Sequence, residues 1–241
     1  LSIGIFLCLC VSAQNNWGQI GQTMYGEGAG DNSGYKVAIN SDGSIVAIGA
    51  PFNNGNTGQQ NQNYGHVRIY KNINGTWNQL GNDIDGEALG DEICAVSLSS
   101  DGNTVAIGGI QGSISPGVVR IYNWNGSSWN KIGNDIEGSL SYPLDSRFGF
   151  SVSLSSNGYT VAIGAPGNSG QGSTPSGYTQ IYYFNNQSWQ QIGNDIVGTW
   201  ADESGWDVSI SGDGYTVAIG SPATSNSITS KARVFTWDNS S

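Results

Sequence analysis

The chain has 241 residues, a length that fits one large all-β domain or two smaller domains. Glycine is frequent, with 37 residues, and only 11% of the residues are charged, whereas aromatic residues make up 10%, so a hydrophobic core is expected and simple disorder is not. The net charge of −10 repels phosphate backbones and anionic lipid surfaces, which argues against nucleic-acid partners but is compatible with cations, neutral sugars and other proteins.

The first 13 residues, LSIGIFLCLCVSA, form a short apolar run that ends in small residues and has the character of a secretory signal peptide. The run is too short to span a bilayer. It contains Cys8 and Cys10, which leaves Cys94 as the one cysteine of residues 14–241, so no internal disulfide is expected there. We therefore predict a secreted or cell-surface protein without membrane insertion.

A repeat dominates the rest of the chain. The phrase W-x-x-[IL]-G occurs four times, at intervals of 60, 52 and 60 residues, beginning at Trp17, Trp77, Trp129 and Trp189. No linker or change of composition separates the four units. We therefore predict one repeat domain over residues 14–241, with units starting near 17, 77, 129 and 189, and tryptophans that pack between neighbouring units.

Each unit contains four predicted strands, which we name A to D. Strand A alternates apolar and polar residues, as in Phe150-Ser-Val152-Ser-Leu154, and a turn such as Ser-Asp-Gly at 100–102 follows it. Strand B carries the string Val-Ala-Ile-Gly, strand C resembles Val67-Arg-Ile-Tyr70, and strand D is the tryptophan phrase. With no helical period anywhere, this pattern predicts an all-β fold, a β-propeller of four four-stranded antiparallel blades, alone or as part of a larger propeller.

Two short motifs point to a family. Phe148-Gly149 precedes strand A of the third unit, and Gly-Ala-Pro follows strand B at Gly49-Ala50-Pro51 and Gly164-Ala165-Pro166. The chain thus resembles the FG-GAP repeat of integrin-α-type propellers, and the tryptophan phrases also resemble repeats of secreted bacterial surface proteins. The calcium loop that the resemblance implies between strands A and B is here a short turn with too few oxygen ligands, so no metal and no other cofactor is predicted.

The connections between strands D and A and between strands B and C are expected on one face of the ring, and the B–C loops vary in sequence from unit to unit. The D–A loops are acidic, and their carboxylates fit a cation or sugar hydroxyls, or alternatively cap turns. Aromatic side chains of the same loops fit sugar rings or a protein partner, or alternatively fill gaps. The candidate binding residues are Glu27, Asp31, Phe52, Tyr64, Glu87, Asp91, Tyr142, Asp145, Trp200 and Asp202.

Other chemistry-bearing residues receive structural interpretations. Alternation along strand A places Cys94 in register with Tyr35, Phe150 and Trp206, so its side chain is predicted to face the core. His66 has no second histidine to share a metal with. Arginines recur in strand C at Arg68, Arg120 and Arg233, with Gln180 at the fourth equivalent position, which favours a structural hydrogen bond.

These observations favour an extracellular binding or adhesion module that recognises a glycan or a protein. The alternatives are a polysaccharide-active hydrolase or lyase with paired acids on the same face, and a structural spacer in a larger surface protein. No catalytic residue is assigned, because no Ser-His-Asp order, zinc motif or phosphate loop occurs. Residues 17–24 are also predicted to pair with strand C of the last unit and so to close the ring.

Overall fold

The computed structural model describes residues 17–54, 63–88, 90–110, 116–138, 147–167, 176–223 and 229–238. The signal segment, Tyr142, Asp145 and the side chain of Cys94 lie outside this part of the chain, so the predictions made for them stay predictions. The described part contains β-strands and no helix, and the strands form four antiparallel sheets. The predicted all-β propeller fold is confirmed, with one sheet for each blade. Nowhere in the described part is there a helix long and apolar enough to cross a membrane.

The four blades follow one another along the chain. Blade 1 contains β1 (Lys36–Ile39), β2 (Ile45–Ala50), β3 (His66–Ile73), β4 (Thr76–Gln79) and β5 (Ile84–Asp85). Blade 2 contains β6 (Ile93–Leu98), β7 (Thr104–Gly109), β8 (Val118–Trp124), β9 (Trp129–Lys131) and β10 (Ile136–Glu137). Blade 3 contains β11 (Ser151–Leu154), β12 (Thr160–Ala165), β13 (Tyr178–Phe184), β14 (Trp189–Gln191) and β15 (Ile196–Val197). Blade 4 contains β16 (Asp207–Ile210), β17 (Thr216–Ser221) and β18 (Lys231–Thr236).

Strand D is divided into two pieces, which corrects the predicted count of four strands in a blade. In blade 1, β4 pairs with the last residues of β3 and β5 pairs with its first two residues. The break falls at Gly81, whose φ of +81° belongs to the left-handed region. Blades 1 to 3 therefore have five strands each, and blade 4 has three strands in its described part.

The repeat tryptophans connect neighbouring blades. The indole nitrogen of Trp129 donates a hydrogen bond to the Leu80 carbonyl over 2.7 Å, and Trp189 does the same to the Ile132 carbonyl over 2.9 Å. A Cβ atom at Gly81 would lie 3.1 Å from the Trp129 ring, so the glycine of one phrase makes room for the tryptophan of the next. The phrase therefore connects consecutive blades at Trp129 and Trp189, as its recurrence predicts, and Trp77 bonds the segment before blade 1 in the same way. The prediction is wrong for Trp17, which is fully exposed because no blade of the described part precedes it.

The apolar core lies between adjacent sheets. Strand B is its most buried element, and every residue of β7 and β12 is buried. The glycine that ends Val-Ala-Ile-Gly lets the next blade approach. A Cβ atom at Gly164 would stand 2.1 Å from the Gly205 carbonyl oxygen, and one at Gly108 would stand 2.0 Å from that of Gly149. In blades 2 and 3, close backbone contact with the next blade therefore leaves no room for a larger residue at the end of this string.

The turns also follow the sequence signals. The C–D hairpin of blade 1 is closed by Asn74-Gly75, both with positive φ, as a two-residue hairpin loop requires. In the A–B turns only the glycine has positive φ, for example +72° at Gly102, and the Asp101 carboxylate accepts a hydrogen bond from the Asn103 amide. These short turns join strands A and B, and C and D, on one face of the propeller.

The predicted ring closure is not found in the described residues. Residues 17–24 form no strand with β18; instead the Gln22 side chain bonds the Trp77 backbone, and the Trp77 indole donates to the Ile20 carbonyl over 2.8 Å. The closely packed sheets are consecutive ones, and Val37 of β1 and Val234 of β18 are 64% and 68% exposed. The first segment thus takes the place of a strand D before blade 1, because its isoleucine carbonyl receives the same indole bond as Leu80.

Candidate ligand-binding face

The D–A and B–C loops share one face, which we call the loop face, and the A–B and C–D turns form the opposite turn face. Backbone hydrogen bonds join the B–C loop of one blade to the D–A loop that enters the next. The donor and acceptor pairs are Glu92 N to Asn63 O, Phe148 N to Pro116 O, and Ser204 N to Ser176 O, at 2.9 to 3.1 Å. The described ends of these loops are therefore linked from each blade to the next.

Three of the predicted acidic residues are buried in their own loops. Asp31 accepts hydrogen bonds from the Gly28 amide and the Asn53 side chain. Asp91 accepts them from the backbone amides of Glu87 and Ala88, and Asp202 from the Thr199 amide and hydroxyl. Of the two interpretations that the sequence left open, these contacts agree with turn capping for all three carboxylates.

The arginines of strand C form hydrogen bonds to acidic residues in or next to the same loops. In blade 2, Arg120 donates from Nη1 to Asp91 and from Nε to Asp135, both over 2.8 Å. Burial lowers the pKa of Arg120, but its hydrogen bonds to Asp91 and Asp135 outweigh burial and raise it. Gln180 of blade 3 makes the equivalent bond to Asp195 over 2.8 Å. The recurring residues of strand C thus have the structural hydrogen bonds that their recurrence indicates.

Sequence reasoning missed the aspartates that receive these bonds. Asp83, Asp135 and Asp195 each follow the tryptophan phrase in the string Gly-Asn-Asp-Ile, so a recurring signal was present. Burial raises the pKa of the Asp135 carboxyl, but hydrogen bonds from Lys131 and Arg120 outweigh it and hold that pKa below its usual value. The two glutamates of the predicted set, Glu27 and Glu87, are half exposed and form ion pairs with Arg68 and with Lys131, respectively.

Blade 4 replaces this network with different partners. Lys231 at the start of β18 forms an ion pair with Asp202 over 2.7 Å, and hydrogen bonds from Lys231 and Thr199 outweigh burial to lower the pKa of Asp202. Arg233 donates to the Val197 carbonyl and to the Ser204 hydroxyl instead of an aspartate. The carboxylates of the described loop face are therefore held mainly by internal partners.

A different arrangement occurs where the B–C loop of blade 1 enters β3. His66 is 1% exposed, and its Nδ1 atom lies 3.6 Å from Asp83 Oδ2 and 3.8 Å from Glu27 Oε2. Arg68 contacts both carboxylates, with its Nε atom 3.0 Å from Asp83 Oδ2. Burial lowers the pKa of His66, which favours the neutral imidazole. Sequence reasoning missed this cluster, because Glu27, His66 and Asp83 come from separate loops and strands and no motif connects them.

Aromatic side chains provide the accessible part of the loop face. Trp200, in the D–A loop before blade 4, is 60% exposed, and Phe52 is 39% exposed, whereas Tyr64 is half-buried. Tyr35, Phe150 and Trp206 occupy equivalent positions that were predicted to face the core. Tyr35 is exposed, and Trp206 is partly exposed, although its ring centroid lies 5.0 Å from that of Phe150. These three residues directly precede β1, β11 and β16, at the rim of the blade interface.

Comparison with known proteins supports the fold. No protein-family model and no curated protein sequence matches the chain, so the FG-GAP resemblance has no support at the family level. Among solved structures, a periplasmic gluconolactonase of Pseudomonas aeruginosa is similar, with a TM-score of 0.54, 15% identity, and coverage of 85% of this chain and 57% of its own. Hydrazine synthase of Kuenenia stuttgartiensis is similar too, with a TM-score of 0.52, 13% identity, and coverage of 88% and 49%. Both are propeller-type structures, and the chain spans about half of the length of each.

Proposed function

We propose that the protein is an extracellular binding module that recognises a glycan with its loop face. The proposal rests on a difference between two kinds of side chain on this face. The buried carboxylates cap their own loops, whereas the aromatic rings of Trp200 and Phe52 remain accessible to a ligand. Aromatic rings that are held by a rigid scaffold stack on the apolar faces of sugar rings, and the net negative charge does not oppose a neutral ligand.

The test is glycan-array binding followed by calorimetry with any oligosaccharide that binds. Trp200→Ala should weaken binding by more than about tenfold, since exposed aromatic anchors contribute most to such contacts. Tyr215→Ala is the matched control, because Tyr215 is a similarly exposed aromatic residue of the same blade but lies in an A–B turn on the turn face. Equal losses in the two variants, or absence of glycan binding, would argue against the proposal and leave a protein partner or a spacer.

The enzymatic alternative has one observation in its favour. Burial raises the pKa of Glu203, in the D–A loop before blade 4, as a general acid requires. A reducing-end assay on the bound oligosaccharide distinguishes the two functions. New reducing ends that disappear in Glu203→Gln would indicate a glycoside hydrolase, and binding without new ends supports the binding module.

A further inference from the structure

We propose that Glu27, His66 and Asp83 bind a single divalent transition-metal ion such as Zn²⁺. One ligand atom of each residue lies within 4.8 Å of the ligand atoms of the others. Two ligands bound to one tetrahedral zinc ion are about 3.3 Å apart, given bonds of about 2.0 to 2.1 Å. The distances from His66 Nδ1 to the two carboxylates, 3.6 and 3.8 Å, need to shorten by only a few tenths of an ångström.

The buried imidazole provides independent support. His66 is almost completely inaccessible, and its Nδ1 atom has no hydrogen-bond partner. The two nearest carboxylate oxygens are too distant for a good hydrogen bond, and a buried nitrogen without a partner is unfavourable. A metal ion between them would satisfy the nitrogen and bind both carboxylates, which otherwise contact Arg68. The imidazole nitrogen also favours zinc over calcium, which prefers oxygen ligands.

Blade 2 shows what the same position looks like without a metal ligand. Val118 stands where blade 1 has His66, and Lys131 stands where blade 1 has Gln79. Lys131 neutralises this part of blade 2 through ion pairs of 2.7 Å with Asp135 and 3.1 Å with Glu87. Blade 1 has the same two acidic residues, Glu27 and Asp83, but a neutral glutamine in place of the lysine. Its cluster therefore has one positive charge fewer than that of blade 2, and a bound cation would supply it.

The surroundings of the cluster suit a site with an open position. The Asn53 side chain donates a hydrogen bond to Glu27 Oε2 over 3.1 Å and so orients the oxygen that faces His66. Glu27 is half exposed on the loop face, which leaves a path for the ion, and a water molecule would be its fourth ligand. Arg68 contacts both Asp83 and Glu27 and must move aside or retain longer contacts when the ion binds, so we expect moderate affinity.

The experiment is calorimetric titration of the tag-free, metal-stripped chain with Zn²⁺ alone, together with the visible absorption of bound Co²⁺. One ion should bind each chain. His66→Val, which introduces the residue of blade 2, should weaken binding by more than about 100-fold, since loss of a direct ligand costs more than loss of a supporting residue. Because this test uses the metal without any glycan, it can fail or succeed independently of the proposed function.

Paired variants keep the inference testable if His66→Val folds poorly. Glu27→Gln changes a half-exposed ligand and should weaken Zn²⁺ binding, whereas Glu87→Gln changes the equivalent glutamate of blade 2 and should leave the affinity unaltered. Thermal unfolding in chelator verifies that both variants are folded. Absence of a one-to-one complex in the unmodified chain, or equal losses in the two glutamate variants, would overturn the proposal.

Discussion

At the scale of single residues, the loop face depends on buried aspartates whose hydrogen bonds are made within the protein. Asp91 is fully buried and joins two backbone amides of its loop to the guanidinium of Arg120. Asp31 holds the equivalent loop of blade 1 with neutral donors, the Gly28 amide and the Asn53 side chain. Substitutions at Asp31 and Asp91 therefore distinguish how much loop capping and how much a buried ion pair contribute to the free energy of unfolding.

Asp91→Asn should lower the free energy of unfolding by about 3 kcal/mol, because it leaves a buried guanidinium with one charged partner fewer. Asp31→Asn should cost only about 1 kcal/mol, since an amide oxygen still accepts hydrogen bonds from the neutral donors. Urea unfolding followed by tryptophan fluorescence measures both values. Equal losses would show that the Arg120 ion pair adds nothing to the capping of the loop.

The Asp135 carboxylate makes stability depend on pH. Burial raises its pKa, but the bonds from Lys131 and Arg120 outweigh burial and hold its pKa below that of an unfolded aspartate. Such a group stabilises the protein above the unfolded pKa of about 4, and this contribution is lost as pH falls through the folded pKa. Unfolding at pH 7 and pH 3 should therefore show a smaller drop in stability for Asp135→Asn than for the unmodified protein. Identical drops would assign the acid sensitivity to other carboxylates.

At the scale of elements, the glycine that ends the string Val-Ala-Ile-Gly in strand B is not packed equally tightly in every blade. Gly164 of blade 3 lies under the Gly205 carbonyl of the loop that enters blade 4, and an added Cβ would stand 2.1 Å from that oxygen. Gly220 holds the same position in blade 4, where the nearest heavy atom to an added Cβ is 3.5 Å away. The same four-residue string is thus tightly packed in one blade and ordinarily packed in another.

Gly164→Ala should lower the free energy of unfolding by at least about 2 kcal/mol, because the backbone of the next blade must move. Gly220→Ala is the matched control and should change stability by less than about 0.5 kcal/mol. Thermal and urea unfolding compare the two variants. A tolerated alanine at position 164 would mean that the two blades are not in close backbone contact there.

At the scale of the whole molecule, the blades form a series in which each blade packs on the next. The segment before blade 1 receives the Trp77 indole bond at Ile20, yet Trp17 itself is fully exposed. Val37 and Val234 are exposed at the two ends of the series, although their equivalents inside it, Val152 of blade 3 and Ile121 of blade 2, are buried. The stability of the described part therefore comes from three interfaces between consecutive blades.

Deletion of residues 14–24 tests this arrangement. The described contacts of this segment with blade 1 are the bonds of Gln22 and Ile20 to Trp77, so the deletion should cost roughly 1 to 4 kcal/mol and leave unfolding cooperative. Urea unfolding and light scattering measure the stability and the oligomeric state. Loss of cooperative unfolding would instead support the ring closure that the sequence suggested.

The periodic features of this protein could be predicted from its sequence. Val-Ala-Ile-Gly, the Asp-Gly and Asn-Gly turns and the regular tryptophan phrases identified the strands, the blades and the residues between blades. Each of these signals is local or repeats at a fixed interval, so it records packing that every unit shares. The recurrence of Arg68 and Arg120 in strand C predicted structural hydrogen bonds for the same reason.

Only the tertiary structure decided what differs between units. In the structure, strand D is interrupted at Gly81, and the first segment lies beside Trp77. The predicted acidic residues Asp31, Asp91 and Asp202 are buried and cap their loops. The tertiary structure also brought Glu27, His66 and Asp83 together, although they are far apart in the chain and occur together in one blade only. A sequence repeat reveals the contacts that are common to all units. A site formed by three separate segments depends instead on their distances in space, which cannot be derived from their spacing in the sequence.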